Sequence, residues 1–204
     1  MTTRESPKFT GIIIHRDPLG RFSVRYPTGW HTFDIREEAP LGGGADGPVL
    51  AREGIGFAPN PRDPHTALTM WVAPLEHSVV AEDLAELKQA VDEGLQALDE
   101  CVIESASEAV LGNLIKFERI YTFREHLQPG DAGAIRKRKQ WLLYVDTWLM
   151  CLTWQGSSPE EYQYWFAMAN YSFLTFEIPE ALWFATDRDL AGIRASLQSQ
   201  ITSA

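Results

Sequence analysis

Four glycines, Gly42, Gly43, Gly44 and Gly47, make the stretch nearest in type to a phosphate-cradling loop. Such a loop needs a Lys-Ser or Lys-Thr pair opening a helix, so that backbone amides and the helix dipole meet the anion. No such pair follows, no helix start is written there, and Asp46 would repel an anion, so a flexible linker is the expectation. The five histidines, at 15, 31, 65, 77 and 126, show neither HxH nor HExxH spacing, and only Asp63 with His65 makes a weak ligand pair. Cys101 and Cys151 lie far apart without CxxC spacing, which suits reduced core thiols. Ser157 and Ser158 stand in Gln-Gly-Ser-Ser-Pro, a helix-capping context with no Gly-x-Ser-x-Gly elbow. The expectation is therefore no catalytic residue, no metal site and no cofactor.

Binding residues are easier to name. Arg136, Lys137, Arg138 and Lys139 form the one basic run, and on a strand they alternate between faces. Arg136 and Arg138 then share a surface that can orient an acidic partner. Trp71, Trp141, Trp148 and Trp154 fall on neighbouring predicted strands, and those on a face without helix cover would form an apolar binding surface.

The elements that must position these residues follow from periodicity. Gly11–His15 and Arg21–Tyr26 are β-rich runs joined by the turn residues Asp17, Pro18, Leu19 and Gly20, hence a hairpin with Phe22, Val24 and Tyr26 on one face. Trp30–Ile35 continues as a strand, and Arg36–Pro48 is acidic and Gly-rich, hence a loop. Ile55–Phe57 and Ala67–Leu75 are strands, the second alternating Leu68, Met70 and Val72 against Thr69, Trp71 and Ala73. From about Val80 the period changes. Leu84, Leu87, Val91, Leu95 and Leu98 make the apolar stripe of a helix. Ile115–Glu125, Arg138–Val145 and Trp148–Trp154 then form a meander, with Asp146 and Thr147 as the tight turn. Ser158, Pro159 and Glu161 start a helix running to about Asn170, and Phe173–Phe176 follow as an edge strand. Thr186 and Asp189 open a last helix with the stripe Leu190, Ile193, Leu197 and Ile201.

Composition sets the class. A content of 45% hydrophobic and 11% aromatic residues in 204 suits one domain with one sizeable core. It divides into an N-terminal tail (1–10), a core (11–178) and a helical extension (179–204). The formal charge of −10 repels phosphate backbones and anionic lipid, so neither nucleic acid nor membrane is expected as a partner. Tyr162–Phe176 is too short and too interrupted to cross a bilayer, and Met1–Lys8 holds no apolar signal-peptide core, so a cytoplasmic protein is expected.

Between hairpin and third strand stands Tyr26-Pro27-Thr28-Gly29-Trp30. Pro27 fixes φ and lacks an amide donor, Gly29 admits positive φ, and the flanking aromatics pack on either side of the corner. With this order of elements, the aromatic-Pro-x-Gly-Trp corner, matched by Tyr26, Pro27, Gly29 and Trp30, resembles that of the Mog1/PsbP-like superfamily over residues 11–178. The resemblance implies an α+β fold, an antiparallel sheet flanked by helices in an α/β/α sandwich. It also implies a binding or accessory role, since members include a Ran-GTPase binding factor, an extrinsic photosystem subunit and DcrB-type bacterial proteins. With no lipoprotein signal legible in Met1–Lys8, a departure from the lipoprotein relatives is expected, and residues from about 180 look like an addition. The expectation is a non-enzymatic protein that binds a protein partner, or a second copy as a homodimer, through its sheet or a sheet-helix groove. The alternative is a small-molecule-binding protein or enzyme with an aromatic pocket lined by tryptophans and a histidine such as His65.

Overall fold

Period-two alternation produces most of this molecule. The computed structural model describes residues 4–40, 49–128 and 130–183. β1 (Ile12–Arg16) and β2 (Ser23–Pro27) pair as an antiparallel hairpin of their own. The other strands are β3 (His31–Pro40), β4 (Val49–Ala58), β5 (Ala67–Pro74), β6 (Val102–Leu111), β7 (Leu114–Glu125), β8 (Ala134–Val145) and β9 (Trp148–Gly156). They form one antiparallel sheet in the order β3-β4-β5-β9-β8-β7-β6. Three helices are described: α1 (Leu84–Gln96), entered through a short 3-10 turn, α2 (Pro159–Leu174) and α3 (Glu180–Trp183).

The two sheet faces carry separate cores. On one, Leu68, Met70 and Val72 of β5 and Met150, Leu152 and Trp154 of β9 lie beneath Phe22, Val24 and Tyr26 of the hairpin and Tyr162, Met168, Ala169 and Phe173 of α2. On the other, Val91 and Leu95 of α1 cover Ile115, Phe117, Tyr121 and Phe123 of β7 with Tyr144 and Leu149. The alternations in β5 and β7 thus place their residues as expected, and the α1 stripe faces the sheet. At the start of α2, the Ser158 side chain accepts the Glu161 amide at 3.2 Å, and Pro159 occupies the first turn.

The aromatic corner ties hairpin to sheet. Tyr26 stacks on Phe57 at 4.1 Å between centroids, Gly29 takes φ +89°, and Trp30 stacks on Trp154 at 5.7 Å with its other side against the edge of Trp165. A side chain with a Cβ is disfavoured at that φ, so glycine is required there.

Four expectations are corrected. The stretch from Arg36 is not loop throughout: β3 continues to Pro40 and pairs with β4 from Val49, leaving 41–48, with Gly42, Gly43, Gly44 and Gly47, outside the described residues. The strand at Ile55–Phe57 is the inner part of the ten-residue β4. The meander has a further strand, β6, whose side chains are exposed almost throughout and whose period is broken by a bulge between Ile103 and Ser105. Finally, α2 runs to Leu174, so the edge strand expected at Phe173–Phe176 reduces to a single bridge between Glu177 and Ser23. Of the C-terminal extension, α3 places Leu182 in the core, and the stripe from Leu190 to Ile201 lies outside the described residues.

Trp30 is 8% exposed between two tryptophans. Trp30→Ala is expected to cost about 3 to 5 kcal/mol, as other core Trp truncations do. A denaturation midpoint equal to that of the wild type would show that the corner contributes no packing.

Candidate functional site

The β1–β2 turn is built around one carboxylate. Asp17 Oδ2 accepts the amides of Leu19 (3.1 Å) and Arg21 (3.0 Å), while Gly20, at φ +68°, donates to the Asp17 carbonyl at 2.8 Å. This is the Asx arrangement by which a short acid replaces backbone partners in a turn. The Arg21 side chain folds back on the same carboxylate as a fork, Nε to Oδ2 and Nη2 to Oδ1, both at 2.8 Å. Nη2 also reaches Glu53 Oε1 of β4 at 2.7 Å, and the guanidinium lies over the Trp148 ring at 4.8 Å. Asp17 is 6% and Arg21 5% exposed. Burial draws the Arg21 pKa down, but the hydrogen bonds and charge of Asp17, then those of Glu53, raise it above its ordinary value. The guanidinium is held charged and immobile between hairpin and sheet.

Beside this ion cluster a cleft of about 360 Å³ opens between the hairpin turn and strands β3 and β4. Its walls carry Asp17, Arg21, Asp34, Arg36 and Glu53, with His15, Leu19, Phe22, Ile35 and Ile55 supplying the less polar surface. Among the described residues, the side chains of Asp34 and Arg36, two apart on one face of β3, are committed to no hydrogen bond or ion pair. Burial pushes the His15 imidazole below its ordinary pKa, with Asp17 opposing. With that ring neutral, three carboxylates stand against two guanidiniums and the cleft carries a net negative charge.

The residues singled out by sequence reasoning lie elsewhere. Trp154 has no exposure and is core, because the register of β9 puts it directly under Trp30 and near Tyr162; it is thereby removed from the binding set. Trp141 shares that face, edge-on to Phe173 at 5.1 Å with the Lys116 ammonium 3.4 Å above it, and Trp148 packs under Arg21. Trp71 alone faces the α1 side, half-buried beneath the Arg52 guanidinium at 4.7 Å. The basic run is also consumed. Arg136 is buried, donating to Glu125 at 2.8 Å and to the Ser157 carbonyl, while Arg138 bonds Gln155 at 3.0 Å and the Tyr121 hydroxyl at 3.2 Å. Lys137 pairs with Glu104 and Lys139 with Glu118 and Asn170. The four alternate between faces as expected, but three are paired with carboxylates and Arg138 is hydrogen-bonded to neutral groups. This cleft is not the aromatic pocket of the alternative reading: no tryptophan lines it, and His65 faces Glu125 at 3.5 Å.

Asp63 belongs to a structural knot rather than a ligand pair with His65. Burial opposes its charge, yet bonds from Thr66 (2.6 Å) and Ser157 (2.7 Å) and nearby amides hold its pKa below the ordinary value. Both cysteines are free, Cys151 buried and Cys101 partly so, and burial raises both thiols. Among the described residues no group of three or more His, Cys, Asp or Glu gathers to hold a metal, and no helix is long and apolar enough to cross a membrane. The cleft residues His15, Asp34, Arg36 and Glu53 were missed because they converge from three strands. Only the Asp17–Arg21 spacing across a Pro-Leu-Gly turn was a local signal.

No family model matches the chain, and no curated protein does. Solved structures do. The cyanobacterial PsbP (CyanoP) of Synechocystis sp. PCC 6803 superposes with a TM-score of 0.50 at 10% identity, over 87% of this chain and 98% of that one. LpqN of Mycobacterium tuberculosis, described as involved in cell envelope biogenesis, has a TM-score of 0.47 at 16% identity, over 82% and 84%. The chain has the PsbP-like α+β fold.

Removing the Arg21 side chain leaves Asp17 buried with backbone donors only, so Arg21→Ala is expected to destabilise the protein by about 3 kcal/mol. Unchanged stability in chemical denaturation would mean the cluster adds nothing to the fold.

The histidines provide a pH test. His126 places Nε2 3.0 Å from Asp99 and Nδ1 2.9 Å from Asp131, and these bonds raise its pKa. Its contribution to stability is full below about 6.5, the unfolded value, and is lost as pH rises through the folded pKa. His15, depressed by burial, behaves oppositely: its contribution is full above about 6.5 and is lost as pH falls toward the folded pKa. Imidazole NMR titration should find His126 above and His15 below that value; the reverse order would contradict the arrangement.

Proposed function

We propose that this protein is a non-enzymatic accessory protein that binds a protein partner at the cleft between the hairpin turn and strands β3 and β4. The observation that carries the reading is the Asp17–Arg21–Glu53 cluster. It fixes the cleft wall rigidly while leaving Asp34 and Arg36 without internal partners beside it. Charged side chains held in place, next to uncommitted ones, suit the selection of a partner more than the generation of a reactive group. The PsbP-like fold is compatible with this role, and the resemblance of the Tyr26–Trp30 corner implies it as well. The cleft volume favours a second reading, a small ligand, because about 300 to 1,000 Å³ is the usual range for such sites.

A photo-crosslinking amino acid at Leu19, on the cleft rim, tests this in the native host. The expected result is a discrete protein adduct that is absent when the same group replaces Leu174, exposed on α2. Identical adducts from both positions, or none from Leu19, would sink the protein-binding reading and leave the small ligand.

A further inference from the structure

Strand β1 is an edge that the described molecule leaves open. In the hairpin ladder, the Thr28 amide donates to the Gly11 carbonyl and the Asp17 amide to the Phe22 carbonyl, which makes Gly11–Thr28 and Asp17–Phe22 hydrogen-bonded pairs. Alternation between these pairs turns the amides and carbonyls of Ile13 and His15 toward β2. Those of Ile12, Ile14 and Arg16 point the other way, where no described strand pairs with them. The opposite edge of the hairpin follows the same rule and is partly occupied: Ser23 exchanges both backbone hydrogen bonds with Glu177.

The side chains along the open edge are unusual for one. Ile12, Ile13 and Ile14 are 46%, 41% and 42% exposed, three consecutive β-branched residues with no Lys or Pro among them. Charges, prolines and bulges are the usual protections of an exposed edge, and here they are missing from the centre of the strand. The edge also has a direction, because β1 ends at His15 and Arg16 beside the cleft, and the cleft carries net negative charge.

We infer that an extended, basic segment of a partner protein adds as a third strand along β1 and sets a lysine or arginine side chain into the cleft near Asp34 and Glu53. This rests on the protein-binding reading above. Main-chain hydrogen bonds to Ile12, Ile14 and Arg16 supply affinity, and the cleft selects the side chain. Charge complementarity chooses this occupant: the chain as a whole carries −10, which draws in a cationic segment and opposes a second copy.

The probe is a fluorescein-labelled nine-residue peptide alternating valine and lysine, read by fluorescence anisotropy against the intact protein. Its counterpart alternates valine and glutamate. The lysine peptide is expected to bind at least about tenfold more tightly, with affinity falling as salt rises. Ile14→Pro deletes an outward amide, a position where proline is tolerated, and is expected to weaken binding about three- to tenfold. Asp34→Asn, which breaks no internal bond, is expected to weaken it about threefold and to reduce the salt dependence. Circular dichroism identifies a misfolded Ile14→Pro chain, in which case the Asp34→Asn result decides. Equal binding of the two peptides, no binding of either, or unchanged affinity in a folded Ile14→Pro protein would overturn the inference. So would a dimer seen by light scattering and dissolved by Ile14→Pro, which assigns the edge to a second copy. If the peptides fail while the Leu19 adduct persists, the cleft binds a partner by other chemistry; if both fail, the protein-binding reading is lost with it.

Discussion

Strand β9 is buried on both faces, and that requirement organises the rest of the molecule. Met150, Leu152 and Trp154 point one way, Leu149, Cys151 and Thr153 the other, and all six are inaccessible or nearly so. A strand in this position cannot be satisfied by its own sheet; it needs a layer above and a layer below. Helix α1 provides one over Leu149, and further along that face the Gln140 amide donates to Cys151 Sγ at 3.3 Å. The other is composite, made of α2 and the hairpin, and the hairpin holds its place through Tyr26 on Phe57 and Trp30 on Trp154. The Tyr-Pro-Thr-Gly-Trp corner is therefore the joint at which an outer layer is fastened to the central strand.

The same layering created the cleft. A two-stranded hairpin is narrower than the sheet it covers, so over β3 and β4 its turn stands above the sheet without sealing it. A buried fork between Asp17 and Arg21 spans this gap and reaches Glu53. Two charges so enclosed are costly unless each hydrogen-bonding site is used, and the Asp17 carboxylate here accepts four bonds, two from backbone amides. The rigidity of the wall and the negative balance of the cleft have this one origin.

Much of the architecture was legible in local patterns. β5 and β7 alternate, apart from the buried Arg119 on the core face of β7, α1 has a clean stripe, and the Ser-Pro-x-Glu start of α2 and the Asp-Thr turn between β8 and β9 are read residue by residue. What escaped had physical reasons. β6 is an exposed edge, so Val102–Leu111 has no buried face to impose alternation, and its bulge shifts the period. The outer halves of β3 and β4 are held by pairing with each other, which composition alone does not reveal. For the site, parity placed the tryptophans on faces but could not say which face would be roofed. Charge counting found Arg136–Lys139 without knowing that Glu125, Glu104 and Glu118 would pair with three of them and that Gln155 would hydrogen-bond the fourth. The cleft depends on separations of tens of residues, such as Arg21 to Glu53, to which no spacing rule applies.

The sheet order has a consequence for how the chain is made. Every neighbouring pair in the sheet is sequential except β5 with β9, the seam that joins β3–β5 to the meander β6–β9. As the polypeptide leaves the ribosome, β5 emerges with Leu68, Met70 and Val72 and an unpaired edge, and its partner is not yet synthesised. That edge stays open until Trp148–Gly156 has followed. During this interval the nascent chain presents a hydrophobic strand with one free side, the kind of edge that is open to mispairing.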